Sequence, residues 1–131
     1  MACATVAYDG PRRPSEEVAH IEESEVAIRR IDRFFFEGVH GQIEVLPGPH
    51  RLVVELDAWH GGRLAGLVHE RSGLVSICLR ARPGRTYLVR PARFDDRQFW
   101  GPEIIDERDA VRVAARAPGD PVEDCRPQED R

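Results

Sequence analysis

The chain contains no lysine; all nineteen of its basic residues are arginine. It has one methionine, two tryptophans and three cysteines in 131 residues. No apolar run approaches the roughly 20 residues that a membrane-spanning helix needs, and the aromatic run Phe34-Phe35-Phe36 stops at Glu37-Gly38. There is no His-Glu-x-x-His, no Cys-x-x-Cys, no Gly-x-Ser-x-Gly elbow, no Gly-x-Gly-x-x-Gly loop and no Walker signature. Each absence removes the chemistry that depends on the motif: zinc held on a helix face, a nucleophile elbow, a glycine-built phosphate cradle. No cofactor is expected. A concentrated basic surface is also missing, because the arginine doublets 12–13 and 29–30 are short and the C-terminal part is acidic. Residues 95–131 hold 11 acidic and 6 basic side chains, against 12 and 13 in residues 1–94. Such a chain repels phosphate backbones, so nucleic acid is not an expected partner.

What is present is alternation. With 41% apolar and 32% charged residues, the chain has the material for one hydrophobic core, and its length fits a single domain. Residues 1–17 read as an extended N-terminal tether, since Pro11 and Pro14 interrupt regular pairing. Residues 18–116 read as the folded domain and 117–131 as a flexible acidic tail. Over 25–32, Val26 and Ile28 share one face; a strand is preferred to a helix over 15–24, where Ser15 could cap but Val18 and Ile21 make a thin helical stripe. Gln42–Leu46 and Arg51–Asp57 both alternate across Pro47-Gly48-Pro49 and predict a hairpin or tight corner. Leu74–Ala81 and Thr86–Val89 predict another hairpin across Pro83-Gly84, and Leu64–Glu70 predicts a further strand. Leu52, Val54, Leu56, Val75, Ile77 and Leu79 are the expected core; Val111–Ala115 reads as an edge strand or a short helical turn. The fold class that follows is mainly β: a small antiparallel β-sandwich of about six or seven short strands with irregular termini.

Candidate chemistry is thin. His20, His40, His50, His60 and His69 are scattered, and a zinc site needs three or four convergent ligands. Asp95-Asp96 and Glu22-Glu23 are adjacent, so in an extended chain their carboxylates diverge. Ser76 and Cys78 lie opposite Val75, Ile77 and Leu79, and Cys78 reads as a half-buried inert thiol. No catalytic or metal residue is assigned. Trp59 and Trp100 read as core or rim packing, with partner contact as the functional reading of each. In a strand, Phe35 points away from Phe34 and Phe36, so at least one ring needs cover from the chain itself or from a partner.

The cysteines are odd in number. Cys3 is nearly terminal and is the natural one to set aside in an oxidising compartment. Met1-Ala2-Cys3 offers neither a basic nor an apolar leader segment, so export would require a leader upstream of these residues. The opening Cys3-Ala4-Thr5-Val6-Ala7-Tyr8-Asp9-Gly10-Pro11-Arg12-Arg13-Pro14, with Glu17-Val18-Ala19 and Ile31-Asp32 after it, resembles the mature start of uncharacterised bacterial lipoproteins. Leu46-Pro47-Gly48-Pro49-His50-Arg51-Leu52 is similar to a turn recurring in those lipoproteins and in small β-domains of the PEGA type, and Gly84-Arg85-Thr86-Tyr87 to a glycine-x-x-tyrosine strand entry. The resemblance implies a lipid on Cys3, a small β-sandwich and no catalytic residues. The expected function is a non-enzymatic cell-envelope lipoprotein domain on the periplasmic side of the outer membrane, with a structural or protein-interaction role. Its partner would be an envelope protein or a second copy, met through Phe35, Trp59 or Trp100. The alternatives are a small metal- or histidine-dependent hydrolase using His60 or His69 with Glu55, Asp57 or Glu70, and, without an upstream leader, a cytoplasmic β-adaptor.

Overall fold

Alternation places one apolar row on each strand, and two sheets bring those rows together. A computed structural model describes residues 5–37, 41–55, 74–94, 99–116 and 125, with only the backbone described at 93, 94, 99 and 100. Among these residues the protein is mainly β. Its strands are β1 (Thr5–Val6), β2 (Ala19–Glu23), β3 (Ala27–Ile31), β4 (Phe34–Phe35), β5 (Ile43–Val45), β6 (Gly48–Glu55), β7 (Leu74–Ala81), β8 (Thr86–Phe94), β9 (Phe99–Asp106) and β10 (Val111–Ala115), with a short 3-10 turn at Ser15–Glu17. One sheet, A, has the order β1-β5-β2-β8-β9-β10; the other, B, has the order β4-β3-β6-β7. Ala19, Ile21, Ile43, Val45, Tyr87, Val89 and Ile104 from sheet A share one buried cluster with Ile28, Ile31, Leu52, Val54, Ile77 and Leu79 from sheet B.

Of the two readings of the Pro47-Gly48-Pro49 turn the corner is the one formed, and the expected hairpin across Pro83-Gly84 is a corner as well. β5 lies in sheet A and β6 in sheet B, so Leu46-Pro47 carries the chain across the core. β7 lies in sheet B and β8 in sheet A, so 82–85 crosses back. Alternation says which face of a strand is buried but not which neighbour it pairs with, and a short turn serves either geometry. Both corners use a glycine with positive φ, Gly48 at 121° and Gly84 at 78°, where a side chain would be strained. Gly84 also donates its N–H to Val18 O at 2.8 Å, tying the second corner to the entrance of β2.

The expected antiparallel pattern holds through sheet B and fails at two places in sheet A. β1 runs parallel to β5, and β2 runs parallel to β8 with His20 opposite Thr86 and Glu23 opposite Val89. The count of about six or seven strands is too low, because short strands at the sheet margins carry no readable alternation. In the N-terminal segment β1 joins the sheet and Ala7 and Tyr8 are buried, while 9–17 stays exposed.

Strand β3 shows why simple alternation falls short. Its register against β6 pairs Ile28 with Val54 and then Arg30 with Val53, leaving Arg29 as an extra residue. This bulge lets Ile28 and Ile31 both face inward although they are three apart. Leu52, Val54, Ile77 and Leu79 are buried as expected, and Val75 is partly buried against the cluster. Leu56 and Leu64–Glu70 lie outside the described residues. Val111–Ala115 is the edge strand β10, and 19–23 is strand, with Ser15 folded back as a partner of His20 instead of a helix cap.

Candidate functional site

The Asp32-Arg33 turn between β3 and β4 builds the most organised polar site. Asp32 adopts a left-handed conformation, φ 54°, which aspartate tolerates better than most residues. Its N–H donates to Arg51 O at 2.9 Å, and its Oδ1 accepts the Arg51 N–H at 3.0 Å. The carboxylate is thereby fixed with Oδ2 turned to His50 Nδ1, 2.5 Å away. His50 reaches that point from the inward face of β6, and its Nε2 lies 2.6 Å from Leu46 O. Both ring nitrogens face oxygen atoms within hydrogen-bond distance. His50 therefore clips the β3–β4 turn to the end of β5.

Beside this clip is an open cleft of about 260 Å³ lined by Ala7, Tyr8, Asp9, Asp32, Arg33, Phe34, Leu46 and His50. Arg33 pairs with Asp9 across it, and the Arg33 guanidinium lies 4.7 Å from the centre of the Phe34 ring. The Tyr8 hydroxyl accepts the Arg13 N–H at 3.0 Å and faces Glu44. None of the lining residues is a serine, threonine or cysteine, and both nitrogens of His50 are engaged. The arrangement holds segments together and presents no activated nucleophile.

Arginine–carboxylate pairs concentrate on sheet A. Arg12 donates to Glu44 Oε2 at 2.8 Å, and that hydrogen bond, opposed by burial and helped by the charges of Arg12 and His20, holds the Glu44 carboxyl below its usual range. Burial pushes Glu103 up, but Arg90 at 2.7 Å and Arg112 at 2.8 Å outweigh it and leave the carboxyl below its usual range. Arg85 bridges Asp109 and Asp106 at 3.0 and 2.5 Å, and these bonds raise its pKa. Glu107 is the exception: a hydrogen bond with Glu22 raises its pKa, with desolvation and the Glu22 charge adding to the effect.

Of the residues singled out from the sequence, Phe35 is described in full. It is 73% exposed on the margin strand β4, with the Arg30 guanidinium 4.9 Å from its ring centre. Phe34 packs partly against the core and Phe36 is buried, so the unfilled ring is the one alternation points outward. Trp100 lies in β9 opposite Arg93, its side chain outside the description; Cys3 and Trp59 lie outside the described residues. Of the hydrolase set only Glu55 is described, and it pairs with Arg29 at 2.6 Å; His60, His69, Asp57 and Glu70 are outside. No group of three or more histidine, cysteine or acidic residues placed to hold a metal occurs among the described residues. No helix among them is long and apolar enough to cross a membrane.

One correction concerns a cysteine. Cys78 is not an inert thiol: it forms a disulfide with Cys125, with the two Cα atoms 5.4 Å apart. The 47-residue separation gives no local spacing to read, and Cys125 sits in a stretch whose composition suggests only solvated chain. The signal available in the sequence was arithmetic: with Cys3 set aside, two cysteines remain. The Asp32–His50 clip was also missed, because its partners are 18 residues apart, one in a turn and the other on β6. Comparison with protein-family profiles, with curated proteins and with solved structures gave no match to this chain.

Proposed function

We propose that this chain is the β-domain of a non-enzymatic cell-envelope lipoprotein, held by a lipid on Cys3 at the periplasmic side of the outer membrane, with a structural or protein-interaction role. The observation that carries the reading is the Cys78–Cys125 disulfide. Structural disulfides persist in oxidising compartments such as the periplasm and are rare where thiols are kept reduced. The bond also uses two of three cysteines and leaves Cys3 for another fate. Two sheets on a common core fit the small sandwich that the lipoprotein resemblance implies. The exposed Phe35 ring supplies an apolar contact for an envelope protein or a second copy. The most organised polar site of the described residues, at Asp32 and His50, works as a clip, which favours a binding or structural role over hydrolysis.

Intact-mass analysis of the protein from its native host tests the anchor. The reading expects an amino terminus at Cys3 carrying acyl chains. An unmodified terminus at Met1 would contradict it and favour the cytoplasmic adaptor.

A further inference from the structure

The cleft beside the Asp32–His50 clip has an apolar lining and is spanned by one ion pair. Ala7 and Tyr8 in its wall are buried, Phe34 packs partly against the core and Leu46 is half-buried. Most of its polar side chains are already committed. Asp32 turns Oδ1 to the Arg51 N–H and Oδ2 to His50, whose other ring nitrogen lies against Leu46 O. The Tyr8 hydroxyl sits between the Arg13 N–H and Glu44. The pair Asp9–Arg33 is different, because both of its side chains are largely exposed.

Each member of that pair has capacity to spare. Arg33 meets Asp9 through Nη2, which leaves further donors on the same planar fork. Its guanidinium lies over the Phe34 ring, 4.7 Å from the ring centre. Asp9 uses Oδ2 on Arg33, and Oδ1 remains for another donor. Exposed pairs of this kind are held weakly in water, so this one can open. The two charges are in contact, and a ligand with a single charge would meet attraction at one and repulsion at the other. A ligand whose own ammonium and carboxylate are separated by a single carbon matches both at once. At about 260 Å³ the cleft lies just under the range of about 300–1,000 Å³ usual for drug-sized ligands, which suits one amino acid.

We propose that this cleft is a binding site for a free α-amino acid with an apolar side chain. The Asp9–Arg33 pair opens to admit it. Arg33 takes the ligand carboxylate through parallel N–H donors, Asp9 takes the ammonium, and the ligand side chain lies against Phe34, Leu46 and Ala7. The Asp32–His50 clip holds the β3–β4 turn in place, so the wall that carries Arg33 is formed before the ligand arrives. The site rests on the cleft and its two charges and does not depend on the fate of Cys3.

Calorimetric titration of the full chain with L-leucine and with L-phenylalanine tests it. Two analogues of leucine each lack one charge: L-leucinamide has no carboxylate and isocaproate no ammonium, and at mildly acidic pH each keeps the charge it has. At least one of the amino acids should bind at millimolar concentration or below, and each analogue should bind about tenfold more weakly than L-leucine, the scale of one lost charge-assisted contact. Asp9→Asn and Arg33→Gln, both at largely exposed side chains, should weaken binding by a similar factor. Arg30→Gln, which removes the guanidinium beside Phe35, should leave it unchanged. Absence of binding by both amino acids overturns the proposal. So does an analogue that binds as tightly as L-leucine, since a single charge would then suffice. Binding that survives both Asp9→Asn and Arg33→Gln overturns it as well, by placing the ligand elsewhere.

Discussion

The two sheets share a core but are held in different ways. Sheet A mixes parallel and antiparallel strands and is stitched by arginines to buried carboxylates: Arg12 to Glu44, Arg85 to Asp106, and Arg90 and Arg112 to Glu103. Sheet B is antiparallel throughout, and its covalent tie is the disulfide on its margin strand β7. The difference has a physical basis. β1 and the stretch after it bury little apolar surface beyond Ala7 and Tyr8, so charge-assisted bonds to Glu44 do the docking. β7 has a full apolar row, and what it lacks is a second neighbour in its own sheet. One sheet is thus sensitive to pH and the other to redox state.

The largest expected effect is common to both sheets and sets the scale. Ile77→Ala on β7 and Ile104→Ala on β9, both fully buried, should each lose about 2–5 kcal/mol by lost burial and cavity formation. Urea unfolding of both variants checks it, and a markedly smaller loss at Ile104 would mean that the core belongs chiefly to sheet B. Next comes the redox contrast. In the chain-entropy account, closing a loop of 47 residues is worth roughly 4 kcal/mol. Cys125→Ser should therefore lower the urea midpoint, and adding a dithiol should lower wild type to the same value while leaving the variant unmoved.

The pH contrast is smaller. Glu44 and Glu103 have folded-state pKa values below their ordinary range, so they stabilise the fold above about pH 4.5. That contribution is lost as pH falls through their lowered values. Glu107 has the opposite sign: its raised pKa favours folding at low pH, and the advantage is lost as pH rises through that value. Glu103→Gln should cost about 1–2 kcal/mol at neutral pH, since its arginine partners are half exposed, and should flatten the acid limb of a stability–pH curve. Glu107→Gln should leave that limb in place and remove the decline above it. The smallest effect belongs to Phe35→Ser: exposed on β4, it should shift stability by no more than about 0.5 kcal/mol while weakening self-association or partner capture. Sedimentation of wild type and variant at matched concentration reads the self-association arm.

The same contrast marks what could be read from the sequence. Leu52, Val54, Ile77, Leu79, Tyr87 and Val89 were legible because a period of two survives any choice of partner strand. Which strands pair was not, since the Pro47-Gly48-Pro49 and Pro83-Gly84 turns fit a hairpin and a corner equally well. The Arg29 bulge was hidden because an extra residue leaves no compositional mark. At the site, the opposition of Phe35 to Phe34 and Phe36 was legible, but which side faces solvent was not. The Asp32–His50 clip and the Cys78–Cys125 bond were not legible either, since each joins residues that only the folded topology brings together.

The claim on which both the compartment and the redox contrast turn is the disulfide, and it can be measured directly. Cells of the native host are quenched in acid, free thiols are alkylated under denaturing conditions without reductant, and the protein is digested and its cysteine peptides are identified by mass spectrometry. The account predicts a single linked pair, Cys78 with Cys125, and no alkylated form of either. Recovery of both residues as alkylated thiols would contradict it, removing both the argument for an oxidising compartment and the redox contrast between the sheets.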